Sequence, residues 1–158
     1  MDNTIFYLIG HSERTRLDVA QAVSGLTGAR VVDSHDVYRP IFSLLGHDNP
    51  ATMPDAVWDQ VDAVRAAMLE TIATMSPGGW SFVFTHAGFD IPGDIGAYRA
   101  VRATAARRKA RFQPVKFLGG PSKRPLLTFD EPNALTIDVT GMAPGEAAQA
   151  IVAAAAKR

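Results

Sequence analysis

The sequence predicts an α/β protein with a mainly parallel sheet, and three observations lead there. Apolar runs of strand length alternate with longer segments of helical period, the pattern of successive βαβ units. Glycines follow three of the helical segments, at Gly28, Gly46 and Gly78–Gly79, where a left-handed or freely turning residue ends a helix. The length of 158 residues, with 47% hydrophobic and 20% charged side chains, suits one domain around a single sizeable core.

Residues 5–9 (IFYLI) form the first buried strand, and the helix after it runs to about Leu26. Residues 30–32 make a short second strand ending at Asp33, and a brief helix spans about Val37 to Leu45. Thr52, with Pro54 and Asp55 close behind, marks the next helix start. Val57, Val61, Val64, Met68, Ile72 and Met75 recur at helical spacing and define its buried face. Residues 80–85 form the third strand, and a helix from about Ile95 to Ala110 follows a loop containing Gly88, Pro92 and Gly93. Strands at residues 114–117 and 134–139 and an alanine-rich helix at 144–157 complete the pattern. Residues 118–133 carry little periodicity, and no internal repeat or linker divides the chain.

Composition excludes several classes. Formal net charge is zero, which implies neither nucleic acid nor an anionic membrane as partner. There is no cysteine, so disulfides, thiolate metal sites and a cysteine nucleophile are ruled out. The first apolar run is too short for a membrane span and lacks a signal peptide's layout, so the cytoplasm is the expected location.

In a doubly wound sheet, ligands bind at the carboxyl ends of the strands. The segment after strand one reads Gly10-His11-Ser12-Glu13-Arg14-Thr15-Arg16-Leu17-Asp18. A phosphate-binding P-loop reads glycine, four residues, then Gly-Lys-Ser/Thr, its backbone N–H groups cradling phosphate and its lysine reaching the terminal phosphates. Gly10 is in place, but Thr15 stands where the second glycine belongs and Arg16 where the lysine belongs.

Residues 6–11 (FYLIGH), with residues 32–35 (VDSH) and 132–141 (PNALTIDVTG), resemble the small bacterial P-loop kinase-like proteins similar to shikimate kinase and chloramphenicol phosphotransferase. The resemblance spans most of the chain outside 118–133. It implies a three-layer fold with a five-stranded parallel sheet in the order 2-3-1-4-5 and helices on both faces. It implies further that Glu13 and Thr15 occupy glycine positions, that Arg16 replaces the lysine, and that Asp18 takes the Mg-binding hydroxyl's place. Carboxylates beside a triphosphate oppose its binding, and side chains at glycine positions obstruct the backbone's approach to it. The family's arginine-rich lid is reduced here to residues 118–133, where Lys123 and Arg124 would form a remnant clamp.

By the same resemblance Asp33 matches an aspartate that acts as base toward the acceptor hydroxyl or helps hold Mg²⁺. A turn or helix-cap role is the plainer reading of Asp33, with Asp36 the better cap of the two. His11, His35 and His86 follow strands one, two and three, neighbours in the implied sheet, so the imidazoles would meet along one edge. With Asp33 they would suit a divalent metal or an acid–base pair, but spacing across separate loops is no metal motif and no metal is assigned. His47 falls in a polar turn and is expected to face solvent. Arg99, Arg102, Arg107, Arg108, Lys109 and Arg111 form a basic stripe read as a solvated face, with Arg99 or Arg102 reaching an acceptor pocket as the alternative. Trp58 and Trp80 are expected in the core.

The expected function is therefore a divergent kinase-like protein that has lost ATP-dependent phosphotransfer and needs neither ATP nor Mg²⁺. It would keep a site for a small molecule or small anion: Gly10, His11, Ser12, Arg14, Thr15 and Arg16 binding, with Asp33, His35 and His86 for acid–base work. The alternatives are an ATP- and Mg-dependent kinase with Asp33 as base and Arg16 in the lysine's role, and a non-catalytic interaction protein.

Overall fold

In the computed structural model, which describes residues 1–46 and 52–157, strand β1 (Thr4–Ile9) is buried along its whole length and organises the molecule. Alternate residues of a strand face opposite sides. Ile5, Tyr7 and Ile9 thus enter one apolar cluster, and Phe6 and Leu8 the other. The remaining elements, in order, are α1 (Glu13–Thr27), β2 (Arg30–Val32), α2 (Ser34–Leu45), α3 (Asp55–Thr74), β3 (Phe82–His86), α4 (Pro92–Arg107), β4 (Arg111–Leu118), β5 (Leu135–Asp138) and α5 (Pro144–Ala156). All strand pairs are parallel and the sheet order is β2-β3-β1-β4-β5, as the resemblance implied.

Helices α1 and α5 cover one face through Val19, Val23, Ala148 and Ile151, packed against Phe6, Leu8 and Phe117. The other face lies under α3 and α4, where Leu69, Ile72, Tyr98 and Val101 meet Ile5, Tyr7 and Ile9. Helix α2 leans on α3 through Val37, Phe42 and Val61. Among the described residues no helix is long and apolar enough to cross a membrane.

Several element boundaries differ from the sequence reading. Helix α2 begins at Ser34 with Asp33 as its N-cap, and Asp36, three residues into it, returns its carboxylate to the Asp33 N–H at 3.1 Å. Asp36 is therefore not the cap. Helix α3 starts after Pro54 rather than at Thr52, because proline lacks an N–H and suits a helix entrance. Met75 is 76% exposed, while Leu69 takes its place on the buried face. Pro92 is the first residue of α4, which ends at Arg107. Strand β4 reaches back to Arg111 through Pro114, which precedes the first β4 residue paired with β5 and so costs that ladder no donor. Trp80 is 38% exposed, with the Arg30 guanidinium over its ring at 3.1 Å, and Trp58 packs edge-on to Phe42. His47 lies outside the described residues.

The basic stripe is mostly structural. Arg107 pairs with Glu70, and Arg102 with Glu131 at 2.7 Å. Arg108 gathers the Pro77, Gly78 and Trp80 carbonyls in the loop before β3. Asn3 closes the same end, its amide donating to the Arg108 and Lys109 carbonyls.

Candidate functional site

The connection from β1 to α1 is three residues long, Gly10-His11-Ser12. Ser12 explains its shortness. Its hydroxyl accepts from the Thr15 N–H at 3.2 Å and from the Thr15 hydroxyl at 2.8 Å, an N-cap that starts the helix at Glu13. Glu13 and Arg14, which the motif would leave in a phosphate-cradling loop, are thereby helical. Counted along the motif, Leu17 follows Arg16 and takes the hydroxyl's position, so the place given to Asp18 is corrected to an apolar side chain.

Neither arginine of this segment is poised for a ligand. Arg14 is 92% exposed and pairs with Asp18 at 3.6 Å on the helix surface. Arg16 is buried, and its guanidinium donates to the carbonyl of Gly10, the first residue of its own turn. Burial lowers its pKa from the ordinary value, while Glu13 and Asp33 oppose that shift. Arg16→Ala would leave the Gly10 carbonyl unpaired over a void. It is expected to cost about 2–4 kcal/mol in urea unfolding, whereas a cost under about 0.5 kcal/mol would mark a surface role instead.

The three imidazoles are held apart. His11 Nε2 lies 2.7 Å from the Arg124 carbonyl, and the ring sits 6.1 Å from Phe89. His35 bridges two elements, with Nδ1 at 3.1 Å from Asp33 and Nε2 at 3.1 Å from Glu13 of α1. Its ring also packs on Tyr38. His86 accepts the Gly88 N–H at Nδ1, which leaves its proton on Nε2, 3.9 Å from Asp94. Burial above all, then the Arg65 and Arg16 charges, pushes the His86 pKa down to about 4 against an opposing pull from Asp94. At neutral pH it is an uncharged hydrogen-bonding group. Among the described residues no three histidine or acidic side chains converge as metal ligands.

Asp33 is the hub of this side. Its carboxylate accepts from Thr85 at 2.5 Å and faces His35, joining β3 to α2. A cavity of about 30 Å³, enough for a water or two, lies between Asp33, His86, Arg65 and Tyr7. The Tyr7 hydroxyl, which lines it, is fully buried with no partner among the described residues.

A larger cavity of about 340 Å³ lies on the other side of the turn, among residues 10–12, Thr15, 117–121 and 139–141. Residues 118–133, read in sequence as a lid remnant, form a strap with both halves fastened. Phe89 and Leu126 make an antiparallel bridge, Leu127 donates to the Gly88 carbonyl at 2.8 Å, and Leu127 is buried. Further on, Glu131 takes bonds from Tyr98 and Arg102. The Arg124 guanidinium lies 4.1 Å over Phe89 rather than over the turn. Sequence reasoning missed this strap because its anchors, Leu126, Leu127 and Phe129, lack the spacing of a helix or strand.

No protein-family model matches the sequence, and no curated protein matches it. Solved structures do match. A candidate kinase from Chloroflexus aurantiacus superposes with a TM-score of 0.61 at 13% identity, covering 97% of this chain and 96% of that one. The APS kinase CysC of Mycobacterium tuberculosis, in complex with AMPPNP and APS, gives 0.60 at 12% identity with 97% of each chain covered. A gluconokinase from Sinorhizobium meliloti gives 0.53 at 12%, over 96% and 94% of the two chains. Nearly end to end, this chain has the fold of the P-loop kinases.

Proposed function

We propose that this chain uses the P-loop kinase fold without ATP-dependent phosphotransfer and keeps a small-molecule site at the carboxyl edge of its sheet. The observation that carries this reading is the turn after β1, where Ser12 caps α1 early and Arg16 is spent on the Gly10 carbonyl. A triphosphate needs a wide run of free N–H groups and a cation aimed at its end. Here the wide run is replaced by a capped helix start, the cation is turned inward, and Glu13 adds negative charge beside it. In this reading neither ATP nor Mg²⁺ is a cofactor. Acid–base work falls to Asp33 with His35, whose 3.1 Å contact supports the pairing, and neutral His86 orients a ligand by hydrogen bonding.

The likeness to gluconokinase and APS kinase folds favours a second reading, an ATP-dependent kinase with Asp33 as base. Thermal unfolding separates the two. A ligand at a hundred times its Kd adds about 2.7 kcal/mol of stability. Millimolar ATP with Mg²⁺ is expected to leave the melting temperature within about 1 °C of the unliganded value. A rise of several degrees, larger with MgATP than with adenosine, would establish the kinase reading instead.

A further inference from the structure

The cavity of about 340 Å³ falls within the size range of small-molecule sites, and its lining contains no aspartate, glutamate, lysine or arginine. Resting on the reading above, we propose that it binds an uncharged, hydroxyl-bearing ring of sugar or nucleoside size and discriminates against the phosphorylated form.

Its polar groups are the hydroxyls of Ser12, Thr15 and Thr140 and the ring of His11, set among the apolar surfaces of Phe117 and Val139. That mixture suits a ring with one apolar face and hydroxyls at its rim. The strap supplies backbone rather than side chains to the wall. Gly119 has φ +96°, and a Cβ there would lie 2.2 Å from the Thr140 hydroxyl; a Cβ on Gly120 would lie 2.7 Å from His11. Glycine at both positions brings peptide N–H and C=O groups up to the cavity, where they offer neutral hydrogen bonds.

The surrounding charges work against an anion. Arg16 is committed to the Gly10 carbonyl, Arg14 points to solvent with Asp18, and Arg124 stacks on Phe89. Asp138 stands beside the Gly119 wall of the cavity, its Oδ1 accepting from the Thr140 N–H at 2.9 Å, while the Glu13 carboxylate faces His35 at 3.1 Å on the other side of the turn. Bonds from Thr140 hold the Asp138 pKa below its ordinary value, so the group stays ionised. The favourable dipole of α1 is partly spent on Ser12 and Glu13.

The test uses matched pairs differing only in phosphate, adenosine with AMP and glucose with glucose 6-phosphate, measured by calorimetry and thermal unfolding. The neutral member of one pair should bind at least tenfold more tightly than its phosphorylated partner, and the pair that responds tells a nucleoside ligand from a sugar. Thr140→Lys, an exposed substitution that adds a cation at the rim, should reverse or erase that preference. Equal or tighter binding of AMP or glucose 6-phosphate by the unaltered protein overturns the proposal, as does no binding by either neutral compound. MgATP binding more tightly than adenosine would instead bring down the underlying reading, so the two failures are told apart.

Discussion

Gly88→Ala is expected to be among the most damaging single substitutions in this protein, costing about 3–5 kcal/mol in urea unfolding. Gly88 has φ +73°, a conformation in which a side chain is strained. An added Cβ would lie 2.5 Å from Cβ and Cγ2 of Ile9, a fully buried residue at the end of the central strand with no room to retreat. Gly88 also donates to His86 and accepts from Leu127, so strain there would reach both the polar cluster and the strap. Gly78→Ala is the control, since nothing lies within 4 Å of a Cβ there, and its effect should stay within about 0.5 kcal/mol. Similar costs for the two variants would show that the contact with Ile9 does not constrain the loop.

His86 should make stability fall with acid in a window the unaltered protein shows and His86→Gln does not. The folded pKa is lowered to about 4 from 6.5. Between those values the unfolded chain binds a proton that the folded one refuses, so the contribution is whole above about pH 6.5 and is lost as pH falls toward 4. The shift corresponds to at most about 3 kcal/mol. Denaturant unfolding at several pH values in this range reads it directly. Parallel curves for the two proteins would mean that His86 protonates as easily in the fold as out of it. Burial sets most of the shift, Arg65 and Arg16 add to it and Asp94 opposes it, so the titration of Asp94 belongs in any interpretation of those curves.

The sheet was legible in the sequence because short apolar runs alternate with helical segments along most of the chain, and the resemblance supplied the strand order. Boundaries were less so. Asp33 and Asp36 both make good caps in isolation, and only the pull of Thr85 and His35 on Asp33 settles which one ends the coil. At the candidate site, residue identities showed that Thr15 and Arg16 depart from the motif, yet not that Ser12 would start the helix early or that Arg16 would turn inward. Those outcomes depend on partners distant along the chain or hidden in the backbone, which periodicity cannot register. The separation of the three imidazoles is of the same kind: adjacent strands bring the chain together, and each ring then finds a nearer neighbour.

The knot of bonds at the opposite end, where Arg108 collects carbonyls and Asn3 ties β1 to the turn after α4, has a consequence for how the molecule can change over generations. Anchoring concentrated away from the carboxyl ends of the strands gives the fold a fixed base that does not depend on the loops at that edge. Loops at that edge can then exchange one chemistry for another while the base keeps the chain foldable. The turn after β1 can shorten or lengthen on such a base without unmaking the sheet beneath it.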